Sequence, residues 1–397
     1  MENRSENIEV THMVVGLRHN FFAARAVFVM LSSVMCSHGQ SAQPEKPPMA
    51  DDVFKNVQTL KGLTVDQFMS TMGFISAALN MNCADCHDTS SIAGFALESP
   101  NKRTARRMIA MVNGINKNSF GGKRAVTCYS CHRADPRPRV IPRLSDQYGM
   151  PPPEEPNEVE PRERSAPNAP TAEQIFARYI QALGGPQRVA SLTSFVGHGN
   201  YEGFDTGGDK VPVDVYAKAP SQRTTVVHLT AGDNVRTFDG KNYWTTAAGT
   251  FLPIPVLVMS GGELEGARLD AALTFPAQIQ QILKNWRTGF PATTVDDVDV
   301  DVVQGTGADN MPVKLFFDKK SGLLIRQVRF ADATLGLIPA QIDYTDYRDV
   351  AGVKLPFHWT VTWTDGRSTI DLAAVEPNVA IDTARFAKPL PAARRAQ

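Results

Sequence analysis

Two Cys-x-x-Cys-His runs, Cys83-Ala-Asp-Cys86-His87 and Cys128-Tyr-Ser-Cys131-His132, hold four of the five cysteines of this 397-residue chain. Two thiols three positions apart on one helical turn can form thioethers to the two vinyl groups of one porphyrin. The adjoining imidazole then lies beneath the iron as its proximal ligand. Each run therefore reads as the attachment site of one c-type haem, with Cys83, Cys86 and His87 holding the first and Cys128, Cys131 and His132 the second. Two other chemistries use paired cysteines. Zinc would want its four thiols at closer spacing than the 41 residues between Cys86 and Cys128, and it has no need of a His directly after both pairs. A dithiol redox centre of the thioredoxin kind would show one motif beside a βαβ pattern, and neither run has such surroundings. The chemistry expected is one-electron transfer.

The sixth ligand decides what such an iron does. Met or His there closes the coordination shell, whereas an open position admits peroxide, oxygen or NO. Between residues 50 and 148 the only histidines are His87 and His132, so bis-His ligation would have to recruit a residue from farther along the chain. Methionines are at hand: Met69, Met72, Met81, Met108 and Met111. The same residues at a spacing of three also suit an apolar helix face, so the pattern is compatible with core as well as with ligation.

The elements that must position these groups show an internal repeat. Met72-Gly-Phe-Ile-Ser-Ala-Ala-Leu-Asn80 aligns with Met108-Ile-Ala-Met-Val-Asn-Gly-Ile-Asn116, and each copy reads helix, turn, haem motif. Met72 to His87 is 15 residues and Met108 to His132 is 24, with the extra nine near the turn Ser119-Phe-Gly-Gly-Lys123. The spacing lets each Met-bearing helix fold back over its own haem.

Residues 60–143, with Met72-Gly-Phe-Ile-Ser-Ala-Ala-Leu-Asn-Met-Asn-Cys-Ala-Asp-Cys-His87 and Ala105-Arg-Arg-Met108 leading to Val126-Thr-Cys-Tyr-Ser-Cys-His-Arg133, resemble the photosynthetic reaction-centre cytochrome c subunit. The resemblance implies that each haem lies along a helix whose Met is the distal ligand. On the aligned helices that residue is Met72 for the first haem and Met108 for the second, with Met69 and Met111 as the next candidates. It further implies His/Met-ligated iron at the positive end of the haem range. The family carries four haems where this chain has two motifs.

The rest of the chain sets the context. Charge is balanced, 41 basic against 41 acidic side chains, which gives no chain-wide attraction to nucleic acid. Residues 50–148 carry thirteen Lys or Arg against eight Asp or Glu, a local excess of five before any haem propionate. Arg18, His19 and Arg25 ahead of the apolar run Ala26–Cys36, followed by small residues at 39–42, read as an export signal over 1–42. Eleven residues are short of a bilayer span, and Cys36 is a candidate for lipidation although Met35 is larger than a lipobox prefers. Export matches the haem motifs, because c-type haem is attached outside the cytoplasmic membrane in bacteria.

The fold class expected is multidomain: an all-α c-type dihaem cytochrome domain over 50–148, a Pro-rich linker over 149–170, and an α+β domain with a curved antiparallel sheet over 171–397. Ten prolines between Asp135 and Pro170 mark the connector. Thr171-Ala-Glu-Gln174 predicts a capping box opening a helix that stops at Gly184-Gly185. Strands are predicted at 211–216, 223–228, 313–317, 323–330 and 358–363, with turns at Lys319–Gly322 and Asp365-Gly366, and helices at 263–272 and 276–286. The run Ile342-Asp-Tyr-Thr-Asp-Tyr-Arg-Asp-Val-Ala-Gly-Val-Lys-Leu-Pro-Phe-His-Trp359 resembles the half-barrel domains of periplasmic lipoprotein carriers, which implies an apolar ligand or a partner on the concave face. His198, His228 and His358 lack ligand-like spacing and read as satisfied strand residues.

The function expected is a periplasmic dihaem electron-transfer cytochrome, not an enzyme, with two c-type haems as cofactors. Its partners would be donor and acceptor cytochromes or a membrane complex, with membrane-surface association compatible. The alternatives are a dihaem peroxidase-like enzyme, and an apolar-ligand carrier with a redox accessory domain.

Overall fold

The computed structural model describes residues 45–391 except 92, 139, 143, 145–148, 150–165, 167, 249–252 and 291–292. The expected signal peptide and most of the Pro-rich connector lie outside the described residues.

Short helices dominate the first part: α1 (Ala50–Val53), α2 (Val65–Leu79), α3 (Cys83–Cys86), α4 (Pro100–Ser119) and α5 (Cys128–His132). Their starts are written locally. Thr64 caps α2 in a box with Gln67, and Ser99 followed by Pro100 opens α4; both satisfy backbone N–H groups that the first turn leaves without partners. α2 ends where Asn80 turns into the left-handed region at φ 52°, a conformation Asn tolerates.

The second part is a sheet packed with helices α6 (Ala172–Ala182), α7 (Pro186–Ser191) and α8 (Gly261–Thr274). Its strands are β1 (Ser194–Gly203), β2 (Val211–Lys218), β3 (Gln222–Leu229), β4 (Gly232–Phe238), β5 (Tyr243–Thr246), β6 (Leu257–Met259), β7 (Lys284–Arg287), β8 (Thr293–Val295), β9 (Val298–Thr306), β10 (Pro312–Asp318), β11 (Leu324–Ala333), β12 (Gly336–Val350), β13 (Val353–Trp363) and β14 (Gly366–Pro377). The order is β6-β5-β4-β3-β2-β1-β14-β13-β12-β11-β10-β9-β7, with β8 on β9. Every pairing is antiparallel, as hairpin-connected strands allow, and β1 against β14 joins the two halves of the meander. The antiparallel sheet with helices read from the sequence is thus present, and the predicted strands and both predicted turns fall within or beside these elements.

Alternation drives one face inward. In β2, Val213, Val215 and Ala217 are buried while their neighbours are not. They meet Ile175, Phe176 and Tyr179 of α6 and Leu269 and Leu273 of α8 in the main core. α6 starts at the Thr171/Gln174 capping box, as read.

One prediction differs. The helix expected over 276–286 is a 3-10 turn, Pro276–Gln281, followed by β7. Gln278 leaves helical geometry at φ −116°, ψ 32°. Beyond it, Trp286 packs edge-on against Phe176 at 4.8 Å, and β7 pairs with β9. Ladder bonds and a buried aromatic contact outweigh the weak local preference of one further helical turn.

Residues from Pro44 onward form one compact unit. α2 is fixed to the sheet at both ends. Near its start Asp66, 3% exposed, accepts hydrogen bonds from Ser260 N at 2.7 Å and Ser260 Oγ at 2.8 Å. Farther along, Phe74 and Ala78 share an apolar cluster with Ala333, Leu335 and Ile338 of the β11–β12 hairpin. On the other face of the sheet the strand histidines are paired: His198 Nδ1 lies 2.7 Å from Asp214, His228 lies 3.0 Å from Asp233 and 3.2 Å from Asp214, and His358 bonds Asp371.

Candidate functional site

The two haem motifs are short capped helices. In the first, Asn82 accepts from Ala84 N at 2.9 Å and Asp85 accepts from Asn82 N at 2.7 Å, while His87 N donates to Cys83 O at 2.9 Å. In the second, Ser130 Oγ accepts from Thr127 N at 3.0 Å, and Arg133 closes the turn at φ 51°. Such boxes stabilise helices too short to persist alone. None of the four motif cysteines is in a disulfide, and each pair lies three positions apart on a single turn. Cys128 is buried, and burial pushes its thiol pKa up; Cys83 and Cys131 are exposed.

Both histidines are oriented through the same atom. His87 Nδ1 lies 3.1 Å from Phe95 O, and His132 Nδ1 lies 2.9 Å from Asp135 O. A carbonyl only accepts, so each Nδ1 is the donor and Nε2 is the nitrogen left for another partner. That is the arrangement a metal-ligating imidazole uses, its far nitrogen held by an outer partner. Around His87, burial disfavours the charged ring and pulls the pKa below the usual value, against the opposing effect of the Phe95 carbonyl. The ring of Phe95 leans on the imidazole at 5.2 Å.

The methionines are spread over two helices. Met72 on α2 and Met108 on α4 are half-buried; Met69 and Met111 are 43% and 46% exposed. The contacts between elements differ from those the repeat suggested. α2 packs against α5, the second motif, and α4 touches both α3 and α5. Ala134 N, just past the second motif, donates to Ala78 O of α2 at 3.1 Å. The repeat also diverges at its end, because Asn80 caps α2 whereas Asn116 lies inside α4.

Asn116 and Lys102 are working residues that the sequence reading missed. Asn116, 7% exposed, donates to Val126 O at 2.8 Å and accepts from Ala125 N and Val126 N at 3.0 and 2.9 Å, holding the chain that enters the second motif. A polar residue in the buried stripe Ile109, Val112, Asn116 was the available signal. Lys102, 9% exposed, donates to Phe95 O and Leu97 O at 2.6 and 2.5 Å, fixing the loop whose carbonyl holds His87. Its burial carried no sequence signal.

The residues fit two porphyrins. Met69, Phe95, Leu97, Met111, Phe120 and Tyr129 are large apolar side chains left exposed between residues 69 and 129, around the two motifs. A flat macrocycle against each motif would cover such surface. Among the described residues no group of three His, Cys, Asp or Glu side chains is arranged to hold a metal ion, so the two Cys pairs do not converge on one centre. No described helix is long and apolar enough to cross a membrane.

Comparison with known proteins finds similarity over the segment that carries the motifs. The family model of the photosynthetic reaction centre cytochrome c subunit matches residues 15–174, which include both motifs. Particular relatives are the photosynthetic reaction center cytochrome c subunits of Thermochromatium tepidum, 31% identical over 135 residues covering 33% of each chain, and of Roseobacter denitrificans, 35% identical over 101 residues covering 23% of this chain and 27% of that one. The chain therefore spans about a third or less of the length of these relatives. Among solved structures, a LolA superfamily protein from Nitrosomonas europaea is similar with a TM-score of 0.37 and 14% identity, covering 55% of this chain and 99% of that chain. The resemblance of the motif-bearing segment to the cytochrome c subunit family is thus met among known proteins.

The sheet domain holds a cavity of about 570 Å³, lined by Leu192, Leu269, Phe275, Ile282, Leu283 and Arg329 among others. It lies away from both motifs.

Proposed function

We propose that this chain is an exported, periplasmic c-type cytochrome that transfers electrons through two covalently attached haems. The observation that carries the reading is the paired geometry of His87 and His132. Each follows two thiols on one turn, and each has Nδ1 committed to a backbone carbonyl, which leaves Nε2 for iron. Cys83 and Cys86 would hold the first haem and Cys128 and Cys131 the second, with Met72 and Met108 as distal ligands. A haem bound at each motif would supply a one-electron couple.

The protein's own groups do the rest. Phe95 O and Asp135 O would fix the tautomer and plane of each imidazole; Lys102 holds the loop that carries Phe95 O, and Asn116 holds the chain that enters the second motif. Met72 and Met108 as distal ligands would leave no open position on the metal for a substrate, which separates this reading from a peroxidase-like enzyme. Similarity to cytochrome c subunits supports it over that part of the chain. We assign the cytochrome unit to residues 50–148, the connector to 149–170 and the sheet domain to 171–397. Donor and acceptor cytochromes or a membrane complex are the partners this chemistry requires. The apolar cavity favours a second role for the sheet domain as an apolar-ligand site.

The test is the absorption spectrum of the exported protein with a pyridine haemochrome count. Two c-type haems per chain are expected, with an oxidised near-infrared Met-ligation band weakened by Met72→Ala and again by Met108→Ala. A haem count of zero, or iron that binds CO in the unmodified protein, overturns the reading.

A further inference from the structure

The two motifs have unequal surroundings. Cys128 of the second sits in an apolar cluster whose members include Phe74, Ala78 and Ile109 from the helices and Ala333, Leu335 and Ile338 from the β11–β12 hairpin. Leu335, at the hairpin turn, is 1% exposed. Four residues ahead of Cys128, Arg124 donates to Ala333 O and forms an ion pair with Asp332. The hairpin is therefore gripped from both sides, by apolar contact and by one side chain that reaches its backbone. The first motif is held by its own segment. Ser99 Oγ donates to Cys86 O at 2.8 Å and Asn101 donates to Asp85 O at 2.7 Å, and both cysteines of this motif lie outside that cluster.

We infer that the β11–β12 hairpin backs the second haem site, with Leu335, Asp332 and Arg124 as positioning residues that make this haem the higher in potential. The inference rests on the dihaem reading. An apolar wall disfavours the more highly charged, oxidised iron, so the haem beside it holds its electron more tightly. The sheet domain then acts in electron transfer by setting a downhill step from the first haem to the second.

Redox titration of the full-length holoprotein tests this, with the two components assigned by a Cys128→Ser/Cys131→Ser variant that carries one haem. In Leu335→Ala the second component is expected to fall, its reduced-to-oxidised ratio at fixed ambient potential dropping about tenfold, or roughly 59 mV for a one-electron couple, while the first stays in place. Asp332→Ala, at an ion pair exposed enough to leave folding intact, moves the same component less, and Asp332→Glu restores it. Two haems with neither component displaced, or with both displaced equally, overturn the inference alone. A wild-type chain that takes up no haem overturns the dihaem reading and this inference with it.

Discussion

At the scale of single residues, the site depends on backbone carbonyls as much as on motif side chains. Phe95 and Asp135 contribute only their C=O groups, yet these set which nitrogen of His87 and His132 is left for a ligand. The strand histidines show the other fate of an imidazole. His228 is partly buried, which works against its charge, but hydrogen bonds to Asp233 and Asp214 outweigh burial and its pKa is raised. The folded protein therefore binds that proton more tightly than the unfolded chain does. The stability gained is full below the ordinary His value of about 6.5 and is lost as pH rises through the raised folded value. His228→Gln should remove this loss, so melting temperatures of wild type and variant should converge above the transition and separate below it. Parallel curves across that range would count against the pairing.

At the scale of elements, α2 is placed by close approach to the β11–β12 hairpin. A Cβ built on Gly336 would lie 2.4 Å from the ring of Phe74, and that ring is only 7% exposed. Gly336→Ala should therefore displace α2 and destabilise the fold by about 1–3 kcal/mol, the usual range for overpacking. Phe74→Leu in the Gly336→Ala background should recover part of that loss, by relieving the overlap, when both are followed by urea unfolding. Independent, additive losses would show that the two residues do not meet. The helix repeat was legible in the sequence, as was the capping box at Thr171, because both are local patterns; the boxes at Thr64 and Thr127 emerged only in the structure. Nor was the packing of α2 on α5 legible, since it rests on contacts between residues some 50 apart in sequence.

At the scale of the whole molecule, the helical segment and the sheet share one compact unit from Pro44 onward, joined by Asp66–Ser260, Arg124–Asp332 and the cluster around Phe74 and Leu335. All four tryptophans, Trp244, Trp286, Trp359 and Trp363, lie in the sheet domain, whereas the haem motifs lie in the helical segment. Tryptophan emission and the Soret band therefore report on different parts of the chain. Their unfolding midpoints should coincide in denaturant, and two separated transitions would show that the parts unfold independently.

The sequence by itself determined the Cys-x-x-Cys-His motifs, the cap at Thr171, five of the strands and the turns at Lys319–Gly322 and Asp365-Gly366. Each of these depends on residue types within a few positions of one another. Only the tertiary structure decided that Cys128 is buried against Leu335 while Cys83 is exposed, that Lys102 and Asn116 are buried to hold loops, and that residues 284–287 complete a sheet edge instead of a helix. Those outcomes depend on which distant surfaces meet and exclude water, and local spacing does not encode that meeting.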